Sequence, residues 1–329
     1  MPSPVSQGRV SSFPGGFPSG LSVLGMPLVF PNAQGNIFYV NNGATGLAAG
    51  QSAGSDGNKG TFNKPFATLQ KAVNSCLTGN GDTIFVGPGH AENIASATAL
   101  ALNKAGITII GLGSGDNRPT FTLTTANTAT ITVSANNISI CNCVFVANFL
   151  NIAVLFDLTT AKGFNFDSCE VRDTSAILNF LTVFSCSATS NANDGLLIRQ
   201  NRFSLLTAAG AAKLINFAGI LDRVEISDNF YRAVTTGAGA VITFATTKYA
   251  TNFYVLRNAF LTANAAGTAT GLLITSDTAT HSGLLRENFI KTLATTPLLV
   301  TAGTGLAFID NKYQKTAERS GILSPVVDS

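Results

Sequence analysis

The feature that most constrains the fold of this chain is a six-residue motif that recurs seven times between residues 140 and 313. Each copy starts with an apolar residue, has Asn or Cys at its fourth position, and usually ends on an aromatic residue. Neighbouring copies start 23 to 32 residues apart. The copies are Ile140–Phe145, Phe166–Val171, Ile198–Phe203, Ile226–Tyr231, Val255–Phe260, Leu285–Ile290 and Phe308–Tyr313. Repeats of this length predict a solenoid, in which each repeat is one structural unit stacked on its neighbours.

A second series of apolar, strand-like segments alternates with the motif copies. Its members are Val154–Phe156, Thr182–Phe184, Leu214–Phe217, Val241–Phe244, Leu272–Ile274 and Leu298–Val300. No helical pattern separates the two series, so each repeat holds at least two strands and the chain is predicted to be all-β. The architecture that fits is a parallel β-helix, whose coils stack at the strand spacing of about 4.8 Å. About eight coils are expected between Ile84 and Tyr313 on this reading.

The fourth motif position defines a column that runs through all seven copies. Its residues are Cys143, Cys169, Asn201, Asn229, Asn258, Asn288 and Asn311. Asparagine side chains on successive coils can hydrogen-bond to one another and tolerate the unusual backbone of a turn. We therefore predict an inward-facing amide ladder at a turn, with the two cysteines as buried replacements for asparagine.

Charged residues beside this column support the register. Stacked coils should place opposite charges side by side, because like charges on neighbouring strands are destabilising. The second motif position places Asp167 next to Arg199, and the fifth places Glu170 next to Arg202. The third position reads Asp228, Arg257 and Glu287 in succession.

Composition divides the chain into four parts. Residues 1–36 are dominated by Gly, Pro and Ser and keep no hydrophobic period, yet nine apolar residues lie between positions 13 and 30. These are Phe13, Phe17, Leu21, Val23, Leu24, Met26, Leu28, Val29 and Phe30. We predict an extended arm that orders on a partner rather than a disordered leader. A lead-in segment, 37–80, follows; the solenoid spans 81–314, and 315–329 is a tail that could cap the last coil or contact another protomer.

The lead-in segment contains the one predicted helix, from Pro65 to Cys76. Its apolar residues recur at helical spacing on one face, and Pro is favoured in the first turn of a helix. Asn63 and Pro65 together supply the start signal.

Composition excludes several functions. Only 11% of residues are charged, the formal net charge is +3, and no run of Lys or Arg occurs, so neither nucleic acid nor an anionic membrane surface is an expected partner. No apolar stretch approaches the roughly 18 residues of a membrane span. The first ten residues, MPSPVSQGRV, lack the basic start and apolar run of a secretory signal, so export by that route is not expected.

Candidate catalytic residues are few. A polysaccharide hydrolase needs two carboxylates about 5 to 9.5 Å apart. The acids that come into question are Asp167, Glu170, Asp173, Asp222, Glu225 and Asp228. Neighbouring arginines account for much of this set, so no catalytic residue is predicted.

Cofactor and metal signals are also weak. Cys141 and Cys143 form a lone C-x-C inside an apolar run, and the two histidines, His90 and His281, are expected at the surface or in turns. The glycine-rich loop 111–115 follows a strand but leads into another strand, whereas a phosphate-binding loop must open a helix. No cofactor and no metal is therefore predicted.

Three stretches of the lead-in segment and the first coil carry a family resemblance. Gly54–Thr61, Lys64–Ala72 and Gly81–Gly89 resemble the opening of right-handed parallel β-helix proteins of the pectate-lyase-like class. The resemblance spans about residues 54–313. It implies a right-handed coil and a short helix that plugs the first coil, with Ile107–Gly111 as the next rung.

The start of the chain carries a second resemblance. Phe13–Gly20, running into Gly25–Leu28, is similar to the leaders of β-helix proteins carried by tailed bacteriophage particles. Proteins of that kind are usually trimeric, and serve as capsid decoration or as tailspikes that bind and often cleave surface polysaccharide. The resemblance implies a non-enzymatic, homotrimeric virion protein, assembled in the host cytoplasm. It would decorate or cement the capsid, with the major capsid protein or other virion subunits as partners.

Two other functions stay open at this point. One is a tailspike or fibre module that binds, and could cleave, a host surface glycan. The other is a secreted or surface β-helix enzyme whose signal was removed.

Overall fold

Most of the chain winds into stacked coils whose strands form three parallel sheets. The structure is a computed structural model, and it describes residues 22–23, 26–27, 35–44, 46–47, 49–206, 213–235, 241–264, 271–275, 280–292, 297–300, 305–315 and 318–322. Each sheet takes one strand from each coil, so strand neighbours in a sheet are one coil apart along the chain. The prediction of an all-β parallel β-helix is confirmed.

The first sheet contains the strands that begin each motif copy. Its ten strands among the described residues are Ile37–Val40, Thr83–Val86, Thr108–Gly111, Ser139–Cys141, Asn165–Asp167, Leu197–Arg199, Leu221–Ser227, Ala250–Leu256, Gly283–Arg286 and Leu306–Ile309. The apolar first residues of all seven motif copies are aligned in this sheet, from Ile140 opposite Phe166 to Leu285 opposite Phe308. The register of the structure is therefore the one that the repeat predicts.

The second sheet contains the strands that end each motif copy. Its strands are Ala91–Ile94, Thr120–Leu123, Val144–Ala147, Glu170–Asp173, Arg202–Leu205, Phe230–Thr235, Ala259–Asn264, Phe289–Thr292, Lys312–Lys315 and Glu318–Ile322. The last of these runs antiparallel to Lys312–Lys315 and so follows a reversal of the chain.

The third sheet corresponds to the second apolar series. Its eight strands among the described residues are Leu100–Leu102, Ile131–Val133, Phe156–Leu158, Thr182–Cys186, Lys213–Phe217, Ile242–Phe244, Gly271–Thr275 and Pro297–Val300.

The core lies between the three sheets and is filled by stacked aromatic rings. Alternate residues of each strand point inward, and the inward rings of successive coils contact one another. Phe156 stacks on Phe184 at 5.5 Å between ring centroids, and Phe217 stacks on Phe244 at 4.6 Å. Such offset aromatic contacts add to the stabilisation from burial alone.

The helix runs from Leu69 to Ser75 and is shorter than the predicted Pro65–Cys76. Thr68 is its N-cap, and the Thr68 hydroxyl accepts a hydrogen bond from the Lys71 N–H at 3.2 Å. A side-chain oxygen at this position satisfies one of the free N–H groups of the first turn. The Gln70 Oε1 accepts the Ala101 N–H at 2.6 Å, so the helix covers the start of the third sheet.

The residues before the helix are extended because two other contacts hold them. The Phe66 N–H donates to the Tyr39 carbonyl at 2.9 Å, and the Phe66 carbonyl accepts from the Asn41 N–H at 2.9 Å. The Asp56 carboxylate accepts the N–H groups of Ala67 and Thr68, each at 3.0 Å. These partners lie 11 to 27 residues away, which explains why helical periodicity alone placed the start too early.

The structure describes two short pieces of the predicted arm. Ser22–Val23 pairs antiparallel with Met26–Pro27. The other arm residues before Gly35 lie outside the described residues.

Candidate functional site

The corner between the first and second sheets is a two-residue turn that repeats in seven successive coils. Its first residue has a left-handed backbone, with φ between 51° and 57°, although none of the seven is glycine. These residues are Asn142, Ser168, Gln200, Asp228, Arg257, Glu287 and Asp310. A left-handed conformation costs a non-glycine residue roughly 1 to 2 kcal/mol, so each turn needs a compensating interaction.

The asparagine column supplies that interaction at the second turn residue. The Asn229 Oδ1 accepts both the N–H and the side-chain amide of Asn201, at 2.9 and 3.0 Å. The Asn229 amide donates to the Ile198 carbonyl at 2.8 Å and to Asn258 Oδ1 at 3.0 Å. The same pattern continues through Asn258 and Asn288 to Asn311. The five amides thus form one buried hydrogen-bonded column.

Cys143 and Cys169 occupy the first two positions of the column. The Cys169 thiol accepts the Cys143 N–H at 3.4 Å and donates to the Ile140 carbonyl at 3.8 Å. Asn201 makes the corresponding bonds, because its Oδ1 accepts the Cys169 N–H and its amide donates to the Phe166 carbonyl. A thiol has one donor and one acceptor, so it reproduces one bond of each kind.

The cysteines are poor nucleophiles where they lie. Burial raises the pKa of the Cys143 thiol to about 12 and raises the pKa of the Cys169 thiol well above its ordinary value. Both thiols therefore stay protonated at neutral pH. Among the residues that the structure describes, no group of three His, Cys, Asp or Glu side chains could hold a metal ion.

Asp167 and Glu170 lie on either side of one turn and are both engaged by arginines. The Arg199 Nη2 lies 3.4 Å from the Asp167 Oδ2, as the motif register predicts. Glu170 lies opposite Arg202 in the second sheet, but its ion pairs are with Arg118, in close contact, and with Arg172 at 3.7 Å. The predicted placement of Glu170 next to Arg202 is confirmed, but the expectation that Arg202 accounts for this carboxylate is wrong.

Two features explain the different partners. The Arg202 guanidinium lies over the Phe230 ring on the next coil, 5.6 Å from the ring centroid. Arg118 comes from a turn 52 residues earlier in the chain, outside any motif copy, so the repeat could not identify it.

Asp173 is buried, with 7% of its surface exposed. Its Oδ1 accepts the Phe180 N–H at 2.9 Å and its Oδ2 accepts the Leu206 N–H at 2.6 Å. Burial raises the pKa of the Asp173 carboxyl to about 7, although these two hydrogen bonds act in the opposite direction. The carboxyl joins a loop of its own coil to the next coil.

Asp222 and Glu225 lie in one strand of the first sheet. The Asp222 Oδ1 accepts hydrogen bonds from Asn252 and Thr251 of the next coil, both at 2.8 Å. These bonds hold the pKa of Asp222 below its ordinary value. The Glu225 Oε1 accepts from the Ser227 hydroxyl at 2.6 Å within the strand. A general acid for glycoside cleavage needs a raised pKa, so Asp222 is not suited to that role.

Asp228 and Arg257 are left-handed turn residues on adjacent coils. Their side chains form a two-point ion pair, with Arg257 Nε 2.7 Å from Asp228 Oδ1 and Nη2 2.6 Å from Oδ2. This pair raises the pKa of the Arg257 guanidinium. The motif register predicts the pair, although it does not reveal the left-handed backbone on which both residues lie.

The two histidines are buried, which corrects the expectation of surface positions. The His90 Nδ1 accepts the Asn42 N–H at 3.1 Å, and the His90 Nε2 lies 3.1 Å from Glu92. His281 packs edge-on against Phe244 at 4.6 Å, and burial lowers the pKa of its ring. Both rings pack in the core, and the sequence around each histidine does not indicate that it is buried.

The glycine-rich loop 111–115 packs against the turn residue Asn142 of the next coil. The Asn142 side-chain amide donates to the carbonyls of Gly111 and Gly113, at 2.8 and 3.0 Å. A Cβ on Gly111 would lie 2.2 Å from the Asn142 carbonyl oxygen. Glycine at 111 therefore allows two coils to approach closely.

Of the nine predicted anchors in the arm, Val23 and Met26 lie in the short strand pair, where they are paired. The other seven lie outside the described residues. No helix in the part of the chain that the structure describes is long and apolar enough to cross a membrane.

Comparison with known proteins yields one distant likeness. No protein-family model and no curated protein matches the sequence. A solved rhamnogalacturonan lyase is similar in structure, with a TM-score of 0.47 and 16% identity over 84% of this chain and 73% of the lyase chain. So distant a likeness does not extend to activity.

Proposed function

We propose that this chain is a non-enzymatic structural protein of a tailed-bacteriophage particle. It forms a homotrimeric β-helix that decorates or cements the capsid, and residues 1–36 attach it to the major capsid protein or to other virion subunits.

The proposal of a non-enzymatic role rests on the partners that the candidate carboxylates bind. Asp167, Asp222 and Asp228 each bind a side chain of the next coil. Asp173 binds a backbone N–H of the next coil, and Glu170 binds Arg118. The sixth acid, Glu225, accepts a hydrogen bond from Ser227 of its own strand. Asp173 has a raised pKa but is buried, with both oxygens bound to backbone N–H groups. Acids engaged in this way stabilise the coils and are not held ready for proton transfer.

The charge-poor composition fits the same role. With 11% charged residues, the chain has few charged side chains to place on its outer surface. Flat, uncharged β surfaces suit packing between protomers, since no charge loses its hydration on contact. The apolar anchors of the arm add a means of attachment to a shell.

An attachment experiment tests the proposal. Particles are incubated with the full chain and with a chain that lacks residues 1–34, and the bound fraction is measured by co-sedimentation. The full chain should bind and the shortened chain should lose most of its binding. A matched control replaces the exposed Leu150 and Ile177 of the solenoid by Ser and should bind like the full chain.

Two results would refute the proposal. Equal binding of the full and shortened chains would exclude attachment through the arm. Cleavage of a host surface polysaccharide, lost in Asp222→Asn or Glu225→Gln, would indicate the tailspike function instead.

A further inference from the structure

A patch of apolar side chains lies on the outward face of the first sheet, near its N-terminal edge. We call Ile37, Tyr39, Phe62, Phe85 and Ile110 the aromatic patch. Tyr39, Phe85 and Ile110 are aligned on three successive strands. The Tyr39 ring stacks on Phe85 and meets the edge of Phe62, with centroids 5.5 Å apart in both pairs.

The alternation of the strands explains why these residues face outward. Val40, Ile84 and Val86 are fully buried in the core, so their chain neighbours Tyr39 and Phe85 point to the other face of the sheet. Phe62 reaches the patch because the Tyr39 N–H donates to the Gly60 carbonyl at 2.8 Å. Ile37 is 46% exposed and Phe62 is 42% exposed. Grouped apolar exposure of this kind marks a binding surface.

The arm leaves the solenoid beside this patch, from a fixed point. The Asn36 N–H donates to the Asp82 carboxylate at 2.6 Å. A Cβ on Gly35 would lie 2.0 Å from the Gly81 carbonyl oxygen, so the backbone is held tightly there. Tyr39 is only three residues from Asn36, about 10 Å along an extended strand.

The arm is long enough to reach the patch. The seven residues 28–34 join the strand pair Ser22–Val23 and Met26–Pro27 to Gly35, and they span up to about 25 Å when extended. A tether of this length keeps the apolar anchors at an effective concentration in the millimolar range. A second copy that is free in solution at micromolar concentration cannot compete with that.

We propose that the arm docks on the aromatic patch of its own chain, through the apolar residues around its strand pair. The docking is a property of the free protein and holds whether or not the chain joins a particle. If the arm also binds a shell, as proposed above, its apolar anchors are covered by the aromatic patch before assembly. On assembly they leave the patch and bind an apolar surface of the shell instead.

The absence of tryptophan from the sequence gives a clean test. Phe62→Trp introduces a single tryptophan into the patch of the full chain. Its emission is compared with that of the same chain carrying four further changes in the arm, Leu24→Ser, Met26→Ser, Leu28→Ser and Phe30→Ser. The matched control is Ile177→Trp, at a residue that is 61% exposed on another coil.

If the arm docks on the patch, the four serine substitutions should shift the tryptophan emission of the Phe62→Trp chain to longer wavelength. They should also increase the quenching of this emission by acrylamide. The shift should be constant over a roughly hundredfold range of protein concentration, as an intramolecular contact requires. The Ile177→Trp chain should not respond to the arm changes. Should Phe62→Trp fail to fold, covalent footprinting of Phe62 in the otherwise native chain gives the same comparison, with several-fold more labelling when the arm is altered.

Two outcomes would overturn the proposal. Identical emission and labelling at position 62 with either arm would show that the arm does not cover the patch. A shift that grows with protein concentration would show that the arm of a second copy is the occupant. Neither outcome bears on attachment to a particle, which the co-sedimentation experiment measures separately.

Discussion

Each ladder residue has to satisfy backbone groups on the neighbouring coil. An asparagine does so with four hydrogen bonds, as at Asn258, which contacts Asn229, Ile226 and Asn288. A cysteine does so with two, as at Cys169. The ladder therefore depends on a side chain that both donates and accepts, and not on the amide itself.

This dependence leads to a graded prediction at Asn258. Asn258→Ala should lower the free energy of unfolding by about 3 kcal/mol, because buried polar groups of two coils lose their partners. Asn258→Cys should recover part of that loss, since a thiol offers one donor and one acceptor. Urea denaturation measures both variants.

A matched control is Asn127→Ala, at an exposed position on a turn. It should change the free energy of unfolding by no more than about 0.5 kcal/mol. Equal losses in Asn258→Ala and Asn258→Cys would contradict the proposed chemistry of the ladder.

The raised pKa of Asp173 predicts that the stability of the fold depends on pH. Its pKa is raised by burial from 3.8 to about 7 in the folded chain. A carboxyl whose folded pKa is raised stabilises the fold fully below pH 3.8, and this contribution is lost as the pH rises through about 7. Asp173 should thus lower the free energy of unfolding by up to about 1.4 kcal/mol per pH unit as the pH rises through that range.

Asp173→Asn isolates this contribution. The variant keeps one acceptor oxygen but cannot ionise, so its stability should fall less steeply between about pH 5 and pH 7 than that of the parent chain. The control is Asp116→Asn, at an exposed acid in the short 3-10 helix Gly115–Asn117, which should follow the parent chain. Parallel curves for Asp173→Asn and the parent would show that Asp173 does not titrate in this range.

At the scale of the elements, the spacing of the coils is controlled where a turn meets the next turn. Gly111 lies against the Asn142 carbonyl, and the Asn142 amide binds the same loop. Gly111→Ala should therefore force the two turns apart and cost roughly 2 kcal/mol of unfolding free energy.

Gly57→Ala is the comparison for this change. A Cβ at Gly57 would meet only the Ser55 hydroxyl at 3.6 Å, an ordinary contact. Its free energy of unfolding, measured by the same denaturation, should stay within about 0.5 kcal/mol of the parent. Because Gly→Ala lowers the entropy of the unfolded chain, backbone entropy alone would stabilise both variants. A loss at Gly57 as large as that at Gly111 would therefore show that the close approach does not determine the effect.

The sequence predicts the elements that the repeat itself determines. Stacking requires equivalent residues to align, so the spacing from Ile140 to Phe308 is sufficient to predict the register of the first sheet. Single-copy features depend on contacts between distant residues and escape prediction. Examples are the start of the helix at Leu69, the burial of His90, and the pairing of Glu170 with Arg118.

The candidate site likewise contains some features that the sequence predicts and others that it does not. The column from Cys143 to Asn311 follows from the motif, because every copy repeats it. The left-handed residue before it does not follow from the motif, since its seven positions are occupied by six different residue types. The aromatic patch also escapes prediction, because Phe62 reaches Tyr39 only through the fold of the lead-in segment.

At the scale of the whole molecule, the described coils form a charge-poor rod, and the predicted arm precedes this rod in the chain. The rod is held by the core, the ladder and the carboxylates that bind adjacent coils. The arm begins at a fixed point beside the aromatic patch, close to the first coil.

High-resolution imaging of intact particles from the host that produces this chain tests the central claim most directly. The account predicts many copies across the capsid surface, in groups of three, with the arm from Phe13 to Phe30 ordered against shell subunits. A few copies confined to the tail tip, with the arm away from the shell, would contradict it.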